Sequence, residues 1–136
     1  VDKKIVDFIR KHHVLSCSFS AKQTIHSASC FYYFLETPAR FIVASSEDTL
    51  HVELGLINPT VSGTIHLETK VVGKIQGIQY RGIWSEASKE ERLKYLKKYP
   101  FAIALNPKLW KIDITYIKFT DNTLGFGEKL EFTFCL

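Results

Sequence analysis

The sequence predicts a mainly β chain with flanking helices, an α+β fold organised as a small antiparallel barrel in one domain spanning 1–136. Three observations carry that prediction. With 136 residues the chain has room for one domain and little more. Apolar residues alternate with period two, or cluster as short β-branched and aromatic runs, over most of the chain. The strand-like segments succeed one another across short turns, which favours antiparallel pairing, and closing so many strands into a barrel removes exposed edges.

Taken in order, residues 2–13 place Ile5, Phe8, Ile9 and His12 at i, i+3, i+4, i+7, one helical stripe with Asp2 at its start. In 14–20, Leu15, Cys17 and Phe19 alternate with serines, the pattern of a half-buried strand. Residues 24–35 are rich in β-branched and aromatic types until Thr37-Pro38 breaks them, and 40–45 (RFIVAS) reads as a short buried strand. A helix is expected over 47–57, where Leu50, Leu54 and Ile57 share helical spacing before Asn58-Pro59. Strands resume over 61–67 and 71–84. Ser88-Lys89-Glu90-Glu91 then forms a capping box, in which the Ser hydroxyl and the Glu side chain each satisfy an end amide. Pro100 interrupts that helix, and PFAIAL reads as a short further piece before Asn106-Pro107. In 110–119, Trp110, Ile112, Ile114 and Tyr116 fall on one face and Lys111, Asp113 and Thr115 on the other, and a last strand over 129–134 follows the loop 120–127. The expected order is helix, three strands, helix, three strands, helix, two strands, with no internal repeat and no low-complexity linker.

Composition excludes several classes. Apolar residues at 46% and charged residues at 24% argue against disorder, and no window approaches the ~18–20 continuous apolar residues of a membrane-spanning helix. The net charge of +4 is a mild excess. Its densest run, Arg92, Lys94, Lys97 and Lys98, follows Glu86, Glu90 and Glu91, the order a helix dipole favours, so a solvated helix face is expected rather than a nucleic-acid tract. Cys17, Cys30 and Cys135 match neither CxxC nor a zinc ribbon, and reduced core thiols are expected. With no charged-then-apolar leader at the start, the expected location is cytoplasmic.

Histidines at 12, 13, 26, 51 and 66 form no HExxH or HxxxH pair, and no metal site is expected. His12 is read as offsetting a helix C-terminal dipole, and His26 and His66 as packed or surface strand residues. GxSxG, Walker A and GxGxxG are absent. Two stretches hold more chemistry. Ser45-Ser46-Glu47-Asp48-Thr49-Leu50-His51 leaves a buried strand and enters a helix, where unpaired amides suit an anion, although Ser46 or Thr49 as a plain helix cap is the simpler reading of the spacing. Thr120 to Gly127 packs polar residues, two glycines and an aromatic between two strands, and reads as a hairpin loop with positive φ at its glycines.

These stretches also carry a resemblance. IKFTDNTLGFGEK (117–129), with GIQYRG (77–82), is similar to the signature of the YhbP-like proteins, relatives of pyridoxamine 5'-phosphate oxidase within the FMN-binding split-barrel superfamily. RFIVASSEDTLHVELGLINP (40–59) resembles that superfamily's strand–helix unit. The resemblance implies a homodimeric antiparallel split barrel with FMN in a groove at the dimer interface. By it, residues 28–31, including Ser29, Cys30 and Phe31, line the flavin ring through an exposed strand edge. Ser45, Ser46, Thr49 and His51 surround the phosphate, Gln76 approaches the ring, and Trp110 with Asn122 and Phe126 of the 121–126 loop reaches the cofactor of the other subunit. Leu50 and His51 stand where the oxidases carry Arg and Lys, with Arg40, Lys74 and Arg81 as candidate substitute cations. The terminal substrate-binding segment of the true oxidases has no counterpart before Leu136, so vitamin B6 synthesis is not expected. The implied function is an FMN-dependent oxidoreductase of unknown small-molecule substrate. The alternative is a non-catalytic split-barrel module holding a flavin, haem or another small molecule.

Overall fold

Among the residues described by this computed structural model, 1–125 and 127–134, seven strands form one antiparallel sheet. The elements are α1 (Lys3–Lys11), β1 (Val14–Ala21), β2 (Thr24–Glu36), β3 (Ala39–Ala44), α2 (Leu50–Ile57), β4 (Thr60–His66), β5 (Gln76–Glu86), α3 (Lys89–Lys98), β6 (Leu109–Asp121) and β7 (Lys129–Thr133). Two 3-10 turns, Val72–Lys74 and Pro100–Leu105, lie before β5 and after α3. The strand order is β3-β2-β1-β4-β5-β6-β7 and β3 also pairs with β6, so six strands close a barrel and β7 extends it past β6. The expected α+β split barrel is the observed one. No described helix is long and apolar enough to cross a membrane.

Alternation along each strand fills the barrel. Leu15, Cys17 and Phe19 of β1 point inward and are fully buried, while the serines between them face outward. Phe41 sits at the centre of an aromatic group, with ring centroids 5.2 Å from Tyr32, 5.6 Å from Phe34 and 5.1 Å from Tyr80. Burying four such rings supplies several kcal/mol, at ~25 cal/mol per Å² of apolar surface. Tyr80 keeps its hydroxyl satisfied by donating to the Ser16 carbonyl at 2.7 Å. Gly63 makes that approach feasible, since a Cβ there would come within 1.9 Å of the same carbonyl oxygen.

Each helix begins behind a cap residue the sequence offers, although α2 starts at Leu50 and not at 47. Asp2 accepts from the Lys4 amide at 2.7 Å and opens α1, whose Ile5, Val6, Phe8 and Ile9 are buried. Thr49 caps α2, and the Ser88–Glu91 capping box opens α3.

Four expectations are corrected. Between α2 and α3 there are two strands, the number the segments 61–67 and 71–84 give and one fewer than the expected order, and the second begins at Gln76, after the Val72–Lys74 turn, instead of at 71. The inward stripe of β6 does not continue to Tyr116. The β5–β6 register shifts between Arg81 and Gly82, leaving Thr115 as an extra residue, and a bulge of one residue reverses the faces beyond it. Ile117 and Phe119 are therefore buried, and Tyr116 lies outside under the Arg81 guanidinium, 4.1 Å from the ring centroid. On α2 the inward face is Val52, Leu54 and Gly55, while Leu50 and Ile57 are exposed. His12 follows α1 as its C-cap, and burial, then Lys11, His13 and His66, lower its pKa. The positive charge in the last turn comes from Arg10 and Lys11 instead.

Candidate functional site

β2 is longer than its partners. Its first part, residues 24–31, pairs with β1 alone, and its second part, residues 32–36, pairs with β3. The edge of residues 24–31 that faces away from β1 is therefore free. Tyr32 turns its N–H to β1, donating to the His13 carbonyl at 2.9 Å. By antiparallel alternation Cys30 does the same, and Ser29 and Phe31 present their N–H and C=O at the free edge.

That edge forms one wall of a cavity of about 540 Å³, lined by Ser29, Cys30 and Phe31 on β2 and by Tyr99, Phe101 and Leu105 opposite. Its surface is apolar, and Lys98 is the charged side chain on its lining. Lys98 Nζ lies 5.2 Å from the Tyr99 ring centroid and 5.6 Å from that of Tyr32, and burial lowers its pKa. A second cavity of about 540 Å³ shares Ala44, Leu105 and Pro107 with the first and continues along Ser45, Ser46, Glu47 and Asp48 to Lys108. Together they make one groove with an apolar half and a polar half, each within the size range of small-molecule sites.

Ser45 organises the polar half. Its carbonyl accepts from the Trp110 indole N–H at 2.8 Å. Its hydroxyl lies 2.9 Å from His51 Nε2 and 3.6 Å from Cys30 Sγ. Thr49 Oγ1 donates to the Ser46 carbonyl at 2.8 Å, lies 3.5 Å from His51 Nε2 and accepts from the Val52 amide, so it both caps α2 and joins the cluster. Ser46 Oγ donates to Asp48 Oδ1 at 2.5 Å. Burial, followed by the charge of His26, lowers the His51 pKa, and burial raises that of Cys30 against its contact with Ser45.

Of the residues expected around one flavin, the structure thus brings together Ser29, Cys30, Phe31, Ser45, Ser46, Thr49 and His51, and Trp110, expected to reach the cofactor of the other subunit, lies beneath this same cluster. Trp110 is 2% exposed and its indole N–H is committed to Ser45, so it supports the cluster from beneath. Gln76 and Asn122 lie elsewhere. Gln76 pairs with Asp121 at one end of the β5–β6 ladder and Trp110 with Glu86 at the other, ten residues further along β5, about 33 Å of extended strand. Asn122 is held there by donating to the Ile75 and Val72 carbonyls at 2.9 and 3.1 Å. Its loop has the expected positive φ at Gly125 and Gly127, and Phe126 lies outside the described residues, as does Cys135.

None of the candidate substitute cations lines the groove. Arg40 pairs with Glu91, Lys74 sits in the turn before β5, and Arg81 stacks on Tyr116 on the outer face. The basic run on α3 is not a solvated face throughout. Arg92 donates to the Pro107 carbonyl and, at 2.9 Å, to Asn106 Oδ1, while Lys98 enters the groove wall. Sequence reasoning missed Lys98, Tyr99, Phe101 and Leu105. The available signal was PFAIAL, an apolar run too short to bury itself.

No protein-family model matches the chain. It is 36% identical over 130 residues to a UPF0306 protein of Yersinia pseudotuberculosis, a match covering 93% of this chain and 88% of that one. Among solved structures it is similar to a haem-binding protein from Mycobacterium smegmatis (TM-score 0.73, 12% identity, 93% of this chain and 55% of that one). It is also similar to a candidate pyridoxamine 5'-phosphate oxidase from Listeria innocua (TM-score 0.69, 15% identity, 85% and 94%). A third likeness is to a FAD-binding protein from Mesorhizobium loti (TM-score 0.67, 13% identity, 84% and 87%).

Proposed function

The chain belongs to the UPF0306 protein family, and from its split-barrel fold and the groove beside β2 we propose that it binds a flavin there and acts as a flavin-dependent oxidoreductase on a small molecule. The observation that carries this reading is the free edge at Ser29 and Phe31 beside an apolar wall. An isoalloxazine ring needs both: flat apolar faces for its rings, and paired N–H and C=O groups for its pyrimidine edge. Phe31, Tyr99, Phe101 and Leu105 supply the first and the β2 main chain the second. Lys98 sets a positive charge at the ring's wall, where it favours the electron-rich reduced form. Ser45, Ser46 and Thr49 meet the tail.

The bound flavin supplies the redox chemistry, so the chain's own work is to bind, orient and exclude water. Neutral His51 and protonated Cys30 suit that role. A flavin-fold neighbour and the sequence resemblance to FMN-binding split barrels both support the reading. FMN is the flavin that resemblance implies, within a homodimer in which the loop of Asn122 reaches the groove of the other copy; Gln76, at the same end of the β5–β6 ladder as that loop, would reach it in the same way.

The test is an absorption spectrum of purified protein before and after added FMN, repeated for Leu50→Arg/His51→Lys. Flavin bands that shift and survive desalting support the reading, and the double variant is expected to bind FMN at least tenfold more tightly, since each charge-assisted bond contributes about 1.5–3 kcal/mol. Spectra of FMN and riboflavin alike unchanged by the protein would sink it. The second reading, a haem-holding module, is favoured by a cavity of about 540 Å³ lined by His12, His13 and His66, in which His12 Nε2 is buried without a partner. A Soret band on haem addition, with no response to flavin, selects it.

A further inference from the structure

We propose that the polar half of the groove is built for the uncharged polyol tail of riboflavin and disfavours a phosphate or diphosphate. The inference rests on the flavin reading of the groove and deepens it by naming which flavin the site selects.

The argument begins with charge. Glu47 and Asp48 line this half, both exposed, and Lys108 is the cation on the same lining. Lys108 is already engaged, its Nζ lying 2.5 Å from Glu86 Oε1. The nearby Arg92 keeps its charge but directs its N–H groups to the Pro107 carbonyl and Asn106 Oδ1. Three carboxylates, Glu47, Asp48 and Glu86, therefore outnumber two cations where a phosphate would carry up to two negative charges. His51 adds no compensating charge at neutral pH, because burial favours its neutral form.

Hydrogen-bond balance points the same way. The side-chain donors at the start of α2 are taken up internally: Thr49 Oγ1 donates to the Ser46 carbonyl, as does the Thr49 amide, Ser46 Oγ donates to Asp48, and the Val52 amide donates to Thr49 Oγ1. Of the amides in the first turn of α2, those of Leu50 and His51 stay open among the described residues. The charged groups on the lining not held by a cation are acceptors, the carboxylates of Glu47 and Asp48. A phosphate brings only acceptors to such a wall, whereas ribityl hydroxyls bring donors.

Equilibrium dialysis of the full chain against riboflavin, FMN and lumichrome, the tail-free ring, tests this. Riboflavin is expected to bind about tenfold more tightly than FMN at low salt, a difference of about 1.4 kcal/mol that Coulomb repulsion between charges a few Å apart near a surface supplies. The gap should narrow at high salt, through screening, and in Glu47→Gln/Asp48→Asn, through a gain in FMN affinity. Both substitutions are at exposed positions and preserve side-chain shape. FMN binding as tightly as riboflavin overturns the inference and leaves the flavin reading standing. So does lumichrome matching riboflavin, because the tail would then contribute nothing. Failure of all three to bind overturns the flavin reading, and the inference with it.

Discussion

Ser45 follows β3 directly, with its carbonyl fixed by the Trp110 indole and its hydroxyl between Cys30 and His51, so one small residue ties four elements together. Burial holds the neighbouring His51 below its ordinary pKa, the charge of His26 adding to the effect. The unfolded chain therefore binds the more protons between that lowered value and about 6.5. The stabilisation is intact above the unfolded pKa and is lost as pH falls through the folded one. Urea midpoints at pH 7.5 and 5.5 should fall further for the native chain than for His51→Gln, with a slope difference of up to about 1.4 kcal/mol per pH unit inside the window. Identical pH dependence of the two would mean that His51 charges freely in the folded chain. His12, lowered in the same direction, leaves some slope in the variant.

Between elements, the Arg40–Glu91 pair joins β3 to α3, with side chains 16% and 6% exposed. Burial of Glu91 opposes its ionisation, but the Ser88 amide and the Arg40 guanidinium outweigh it and hold the carboxyl below its ordinary value. Arg40→Met would leave that carboxylate unpaired and should destabilise the fold by about 3 kcal/mol, measured by urea unfolding. Glu91→Gln keeps an acceptor for Ser88 and should cost less. Because α3 carries Lys98 and leads into Pro100–Leu105, loosening it should also weaken ligand binding in the apolar half of the groove. The capping box that starts α3 was legible in four consecutive residues. The ion pair was not, since its partners lie 51 residues apart.

At the scale of the whole molecule, apolar surface gathers at the groove, where Phe101 is 95% exposed, Leu105 80% and Phe31 56%, and continues along the free stretch of β2 to Ile25, 78% exposed. Patches of this kind on one chain, beside a free strand edge, mark a surface that another chain covers. A second copy is the proposed occupant, and it would bring Gln76 and Asn122 to a groove from which they lie at the opposite end of the β5–β6 ladder in their own chain. Sedimentation equilibrium should report a dimer, and Phe31→Asp/Phe101→Asp should convert it to monomer and abolish flavin binding. A native chain that sediments as a monomer would remove the second copy from the site.

The sequence by itself determined the fold class, the barrel strands, the three helices and two of their caps, because alternation, helical spacing and a capping box are read within a few consecutive residues. It also marked Ser29–Phe31 and Ser45–His51, through resemblance. Only the tertiary structure decided that these two stretches meet through Cys30 and Ser45, that Trp110 supports them, and that Pro100–Leu105 forms the opposite wall. It decided as well that Arg40, Lys74 and Arg81 serve other partners, and that Thr115 reverses the faces of β6. The physical reason is one of range. Backbone patterning is local, whereas the partner of a long charged side chain, or the register opposite a bulge, depends on which distant strand the closed barrel makes a neighbour.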